Sequence, residues 1–556
     1  MKSSSDQASR RHDEQAHARL EIDSDHTLNH HQPQNDTLVK LIFKLTGVAI
    51  MFRIAIILWI IIVDYLVKDY DSSSYVDTFF NHATGNINED GHQMKIINYT
   101  LENPLYYGRG FAHWDGVFFL RIASTGQYEF ESFFAFFPLY PMAIRTLTLY
   151  VMRPFMSVLT SVTNFQVQNN HGVTPFMISG VLISNICFVI SVVVFIKLTW
   201  ELVGRNPAYT NFVRTSTLLY IFNPATVFMS VVYTESMFSL FSLCGMYYHM
   251  RKRHLLSCLF FSLATCTRGN GIALAGFYMF QFMLEEFLRW KNSKRQDWTR
   301  NCFNTIKGFL KYIVFGCSMV WLPYVAFQAF GYYQFCTEKS NQLALTIIET
   351  LNAKRHPASV NIHFKDYLAR IHPWCLSTIP HLYGYVQSKY WNVGFLKYYE
   401  LKQVPNFMLA FPVIFISLSG IVQYARHNKQ FFLSLGLFPP TSPTSQPHTQ
   451  QTQDHSESSA QSARHDSNDT TSYYLNNKSM IVFVYYWLAL ILQGLAIMHI
   501  QVLTRFVSSA LPIFFWFSAH IVLTSTSKIV SNLILIYFLS YALIGCILFS
   551  NFYPWS

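Results

Sequence analysis

The sequence predicts an all-helical, polytopic membrane protein, and three observations carry that reading. Of its 556 residues 51% are hydrophobic, 17% aromatic and only 13% charged, too apolar for a soluble protein of ordinary composition. Apolar stretches recur at 45–66, 176–198, 308–330, 405–424, 481–499 and 530–550, each long enough to cross roughly 30 Å of hydrocarbon as a helix. The first of these is too long for the apolar core of a signal peptide and is followed by no small-residue cleavage site, so it reads as a retained signal-anchor. Backbone groups in lipid must be paired within their own segment, which makes the stretches helices.

Charge then sets the orientation. The formal charge of +11 is concentrated in basic clusters at helix ends, 251–254 and 289–300, which is the pattern of cytosolic loops rather than of a nucleic-acid surface. With both clusters cytosolic, 255–268 leads outward and 271–288 returns, so the turn at Arg268, Gly269 and Asn270 is lumenal. Segment 331–404 becomes a lumenal loop, 405–424 returns to the cytosol, and 481–499, 506–523 and 530–550 complete the set with a lumenal turn from His499 to Arg505. Nine to eleven spans are expected. The range reflects 133–152, which is either re-entrant or balanced by a further short span near 196–212.

Four regions follow: a disordered cytosolic tail, 1–44; a membrane module, 45–438, with lumenal loops near 67–132 and 331–404; a disordered cytosolic insert, 439–480; and C-terminal spans, 481–556. The insert is a run of Ser, Thr, Gln, Asp and His that buries too little apolar surface to offset the entropy of ordering. Its sequons at Asn468 and Asn477 would stay unmodified, whereas Asn98, in a lumenal NYT, is an expected glycosylation site. Of nine cysteines, six sit in apolar helices as small hydrophobes. Cys336 and Cys375 lie in the polar segment 331–404, where an oxidising lumen would favour a disulfide.

The residues suited to chemistry cluster in 109–141, an aromatic segment that also carries Asp115, Arg121, Glu129 and Glu131. Its amphipathic composition suits the membrane interface, which would hold Asp115, between Trp114 and Gly116, close to the lumenal surface. There a carboxylate can act as general base, although an interfacial Asp can equally just cap a helix. Arg268, Arg505 and Arg121 are lumenal-side candidates for a phosphate contact, because arginine presents a planar fork of donors. Asn223 and Pro224 interrupt an apolar run that ends in Tyr233, Thr234 and Glu235, and an acid between two spans invites a functional reading. No P-loop, dinucleotide fingerprint, HExxH or zinc-spaced Cys/His set occurs, so no cofactor or metal is expected.

HWDGVFFLRIA with FAFFPLYP, the NP and YTES pair at 223–236, TRGNG at 267–271, YWNVGFLKYYELKQVPNF at 390–407 and HIQVLTRF at 499–506 together resemble the PIG-V family of GPI mannosyltransferase II, from about residue 45 onward. The resemblance implies a GT-C type glycosyltransferase that adds the second, α1,6-linked mannose of the glycosylphosphatidylinositol (GPI) core from dolichyl-phosphate-mannose, in the lumen of the endoplasmic reticulum (ER). It implies an inverting displacement from a β-linked donor, with Trp114, Asp115 and Glu131 as catalytic positions. Arg268, Asn270, Arg505, Glu235 and Asn223 are implied on the substrate side, beside Arg121 from its chemistry; the loop 331–404 is expected to cover the cavity with Tyr390, Trp391, Lys397 and Glu400 near the acceptor, aromatic packing being the plainer reading of the first two. Cys336 and Cys375 also match, Asp71 is a second choice for the base, and a small membrane partner subunit is left open. The competing readings are another dolichol-dependent GT-C transferase and, from a different class, a lipid transporter.

Overall fold

The computed structural model describes residues 36–70, 110–163, 174–293, 297–353, 363–438, 473–553 and 555. Asn98, Asp71, most of the N-terminal tail and most of the insert lie outside them. Every regular element among the described residues is helical. Seven helices are long and apolar enough to span a bilayer: Asp36–Leu66, Thr174–Leu202, Gly269–Lys291, Trp298–Cys336, Leu401–His427, Lys478–Ala496 and Lys528–Ser550. An eighth, Ile500–Ala510 with Pro512–Thr524, is bent by 87° at Leu511. Of the six apolar stretches first expected, all fall inside an observed helix except 481–499, which runs three residues past Ala496.

The shortfall against nine to eleven comes from helices that are apolar but short. Glu235–Met250 and His254–Thr267 form a hairpin of 16 and 14 residues around the basic turn at 251–253, too short to count as full spans. Gly245 makes their close approach possible, since a Cβ there would fall 2.2 Å from the Phe261 ring. The segment 133–152 becomes a 3-10 turn, Glu131–Ala135, and a helix from Leu139 that loosens to a π turn at Thr148–Met152. Near 196–212 the span Thr174–Leu202 ends and a short helix, Thr210–Ile221, follows.

Burial separates a protein-facing side from a lipid-facing side on each span. On Val404–His427, Val404, Met408, Phe411 and Phe415 are exposed at helical spacing, while Ala410, Val413, Ile416 and Gly420 face inward. The inward faces meet in an aromatic core around Trp487, Trp516, Phe514 and Phe515. Several polar groups inside the bundle are paired across segments. Pro323 cannot bond the carbonyl of Met319 one turn back, and the Ser262 hydroxyl donates to that carbonyl at 2.6 Å instead. Arg53, buried in the first span, donates to Ser230 Oγ at 2.8 Å, to the Thr226 hydroxyl and carbonyl, and to the Ile221 carbonyl, and it lies 4.0 Å from the Phe188 ring. It thereby ties the first span to the irregular stretch 222–234, which leads into the site.

Candidate active site

Four charged side chains from four segments meet where helices begin or end. Asp115 opens helix Asp115–Thr125, Glu235 opens Glu235–Met250, Arg268 caps the end of His254–Thr267, and Arg505 lies in Leu503–Ala510, just before the bend. The two acids occupy positive dipole ends and Arg268 a negative one, so each helix favours the charge it carries.

Arg505 Nη1 lies 3.0 Å from Asp115 Oδ2 and 3.6 Å from Glu235 Oε1. Arg268 Nη1 pairs with the same Glu235 oxygen and donates to the Thr234 hydroxyl at 3.2 Å. The charges therefore alternate, Asp115, Arg505, Glu235, Arg268. The Arg505 guanidinium also lies 5.2 Å from the Phe228 ring and 5.5 Å from that of Tyr233, where cation–π attraction adds to the ion pairs. Exposure divides the roles: the Asp115 side chain is 29% exposed and Glu235 is wholly buried, so Asp115 is the carboxylate a substrate can reach. Arg505 Nε and, beside Arg268, Asn270 Nδ2 are buried donors with no acceptor among the described residues. Unspent donors at a carboxylate–arginine cluster suit an incoming anion.

Backbone detail fixes this geometry. Trp114 has φ 55°, a left-handed conformation that costs a non-glycine residue on the order of 1–3 kcal/mol and persists only where surroundings enforce it. The enforcing contacts are His113 Nε2 to the Ser550 carbonyl at 2.9 Å and the Val232 N–H to the Phe111 carbonyl at 3.0 Å. Gly271 is required in the Arg268 turn, because a Cβ there would lie 2.6 Å from the Thr265 backbone.

Other expected residues take different positions. Glu131 has four partners, all from the segment 363–391: His372 Nδ1 at 2.5 Å, Trp374 Nε1 at 2.6 Å, the Tyr390 hydroxyl at 3.2 Å and Lys389 Nζ at 3.6 Å. Burial pushes the Glu131 pKa up, but the bonds from His372 and Trp374 and the charges of His372 and Lys389 outweigh it and hold it below the ordinary glutamate range. Glu131 thus holds the loop rather than joining the Asp115 group. Arg121 is engaged in a two-pronged pair with Glu129, both bonds at 2.8 Å. Asn223 is fully buried and its amide donates to the Tyr220 carbonyl at 3.0 Å. Cys336 and Cys375 are joined in a disulfide. Among the acceptor-side candidates, Tyr390 reaches Glu131, Trp391 packs on Phe118 and Phe136, Lys397 donates to Ser388, and Glu400 pairs with Lys402.

Asp64, Asp69 and His113 bring one potential ligand atom each to within 4.8 Å of one another, a set whose chemistry suits a divalent ion, immediately before Trp114 and Asp115. Sequence reasoning did not bring these three residues together. It also passed over Tyr233 and Phe228 as partners of Arg505, and Arg53, whose signal was plain: a base inside an apolar run is costly unless bonded.

A multi-span helical bundle that gathers an accessible carboxylate and two arginines at its helix ends has the make-up of a membrane-embedded enzyme. Residues 42–556 match the family model described as Mannosyltransferase (PIG-V), and the chain belongs to that family. It is therefore a mannosyltransferase. It is 30% identical over 488 residues to human GPI alpha-1,6-mannosyltransferase 2, covering 80% of this chain and 88% of the relative. The mouse protein of the same name is 29% identical over the same shares, and GPI mannosyltransferase 2 of Drosophila melanogaster is 26% identical, covering 80% and 87%. No solved structure matches significantly.

Proposed function

We propose that this chain transfers the second mannose, in α1,6 linkage, from dolichyl-phosphate-mannose to the GPI precursor at the lumenal face of the ER membrane. The observation that carries the reading is the Asp115–Arg505 pair, with Glu235 and Arg268 behind it, in a chain that aligns with nearly nine-tenths of the human GPI alpha-1,6-mannosyltransferase 2.

The chemistry is a single displacement at the mannosyl anomeric carbon. Asp115 accepts the proton of the acceptor's 6-hydroxyl as that oxygen bonds to the anomeric carbon. The bond from that carbon to the phosphate oxygen breaks, and dolichyl phosphate departs with the electron pair. Inversion of a β-linked donor gives the α product. Arg505 and Arg268 carry the guanidinium donors that take up charge on the departing phosphate, in a site shielded from water where such contacts act strongly. The pairing also implies an exchange: a donor phosphate that draws Arg505 toward itself loosens its hold on Asp115 and leaves that carboxylate available to the hydroxyl. Two lipids held in one interface supply orientation that free solutes lack. The reading invokes no cofactor beyond the lipid-linked donor.

The test is reconstitution of the purified full chain in vesicles with labelled dolichyl-phosphate-mannose and a one-mannose GPI acceptor. Formation of a two-mannose product cleaved by an α1,6-specific mannosidase supports the reading. Transfer to a protein or a dolichol-linked oligosaccharide in place of this acceptor contradicts it.

A further inference from the structure

We propose that Tyr233 is a positioning residue for the reaction, setting Asp115 through its hydroxyl and Arg505 through its ring. The inference rests on the reading of Asp115 as proton acceptor.

The Asp115 N–H is one of the free donors that open every helix, and no side chain caps helix Asp115–Thr125 from within. The Tyr233 hydroxyl oxygen accepts from that N–H at 3.1 Å, across 118 residues of sequence. The opening of the helix, and with it the Asp115 carboxylate, is therefore registered against Tyr233 rather than against its own turn. The same ring lies 5.5 Å from the Arg505 guanidinium, so one side chain touches both members of the Asp115–Arg505 pair.

Tyr233 is itself held on several sides. It is 2% exposed, and its ring meets Phe228 at 5.1 Å, Phe549 at 5.4 Å and Phe119 at 6.3 Å. Its carbonyl accepts from Ser184 at 3.2 Å, and the preceding residue, Val232, bonds the Phe111 carbonyl. Two residues further on stands Glu235, the anion shared by the two arginines. The phenol is thus a rigid spacer between Asp115 and Arg505, and in oriented catalysis a displacement of about 1 Å can cost about 100-fold in rate. A phenol that served packing alone would have no need to meet the base's own N–H.

The experiment compares the full chain with Tyr233→Phe, Asp115→Asn and the double variant in the reconstituted assay. Tyr233→Phe keeps the ring on Arg505 and removes the hydroxyl. The expected result is a kcat lowered about 10- to 100-fold with donor and acceptor KM within about twofold of the intact chain. The double variant should be no slower than Asp115→Asn alone, since residues acting as one unit are not additive. A Tyr233→Phe chain as active as the intact one, or a double variant slower by the product of the single effects, overturns the proposal. Should Tyr233→Phe fail to yield folded protein, Phe549→Leu loosens one wall of the ring's enclosure and must lower kcat with KM held; an unchanged kcat overturns the proposal there. An intact chain without transfer activity sinks the functional reading itself, which separates the two failures.

Discussion

Arg505 and Asp115 are 390 residues apart in the sequence and 3.0 Å apart in space. The bend at Leu511 and the left-handed turn at Trp114 deliver them to one another from opposite ends of the chain. The carboxylate that a substrate can reach is thus held in place by a part-buried cation.

Replacing Asp115 by Asn keeps the shape and an acceptor for Arg505 but removes the proposed proton acceptor. Mannose transfer should fall by about 10²- to 10⁴-fold, the usual contribution of general base catalysis, with expression and detergent-extracted elution unchanged. An Asn variant that retains most of the activity would move the base elsewhere.

Glu235 behaves differently, because it is fully buried and holds both arginines. Glu235→Gln leaves two cations short of their counter-charge and should destabilise the protein by about 3–5 kcal/mol, as broken buried pairs do. The check is thermal denaturation in detergent: a clear fall in melting temperature for Glu235→Gln, and little or none for Asp115→Asn. Equal melting of Glu235→Gln and the intact chain would contradict the assigned pairing.

Glu131 makes the segment 363–391 sensitive to acid. Its folded pKa is depressed, so its stabilisation is fully present above the ordinary glutamate value of about 4.3 and is lost as pH falls through the depressed value. Protease protection of the segment 363–391 should therefore weaken on acidification into and below that range. In Glu131→Gln the protection should start lower and vary little over the same interval. Identical acid profiles for the two proteins would remove Glu131 from this role.

The disulfide between Cys336 and Cys375 closes a loop with a sequence separation of 39 and ends beside Trp374, one of the Glu131 donors. By loss of chain entropy in the unfolded state, a loop of that size is stabilised by about 4 kcal/mol. Cys375→Ser should lower the melting temperature, and it should do so in a Glu131→Gln background by less than the sum of the single effects, since both ties hold the same loop. Strict additivity would show that they act independently.

The spans were legible because a run of apolar residues must be helical in lipid wherever it packs, and 405–424 or 530–550 needs no partner to be recognised. Helices Glu235–Met250 and His254–Thr267 were harder to place, since both are too short for full spans. Asp115, Glu235, Arg268 and Arg505 were each identifiable from the cost of placing charge at a membrane interface, and from the resemblance of their surroundings to a known family. Their pairing was not legible, because no spacing rule connects residues that meet through the bending of separate helices. Glu131 illustrates the limit: an acid near Asp115 in sequence reads as a second catalytic group, and only its contacts with His372 and Trp374, more than 240 residues away, reveal an anchor.

The most direct test of the central claim is complementation of cells that lack their own GPI mannosyltransferase II, with labelled mannose used to count residues on the accumulated glycolipids. The intact chain should restore species with two or more mannoses, whereas an equally expressed Asp115→Asn chain should leave the one-mannose precursor stalled. An intact chain that leaves the one-mannose precursor in place would contradict the assigned acceptor, and full rescue by Asp115→Asn would contradict the assigned base.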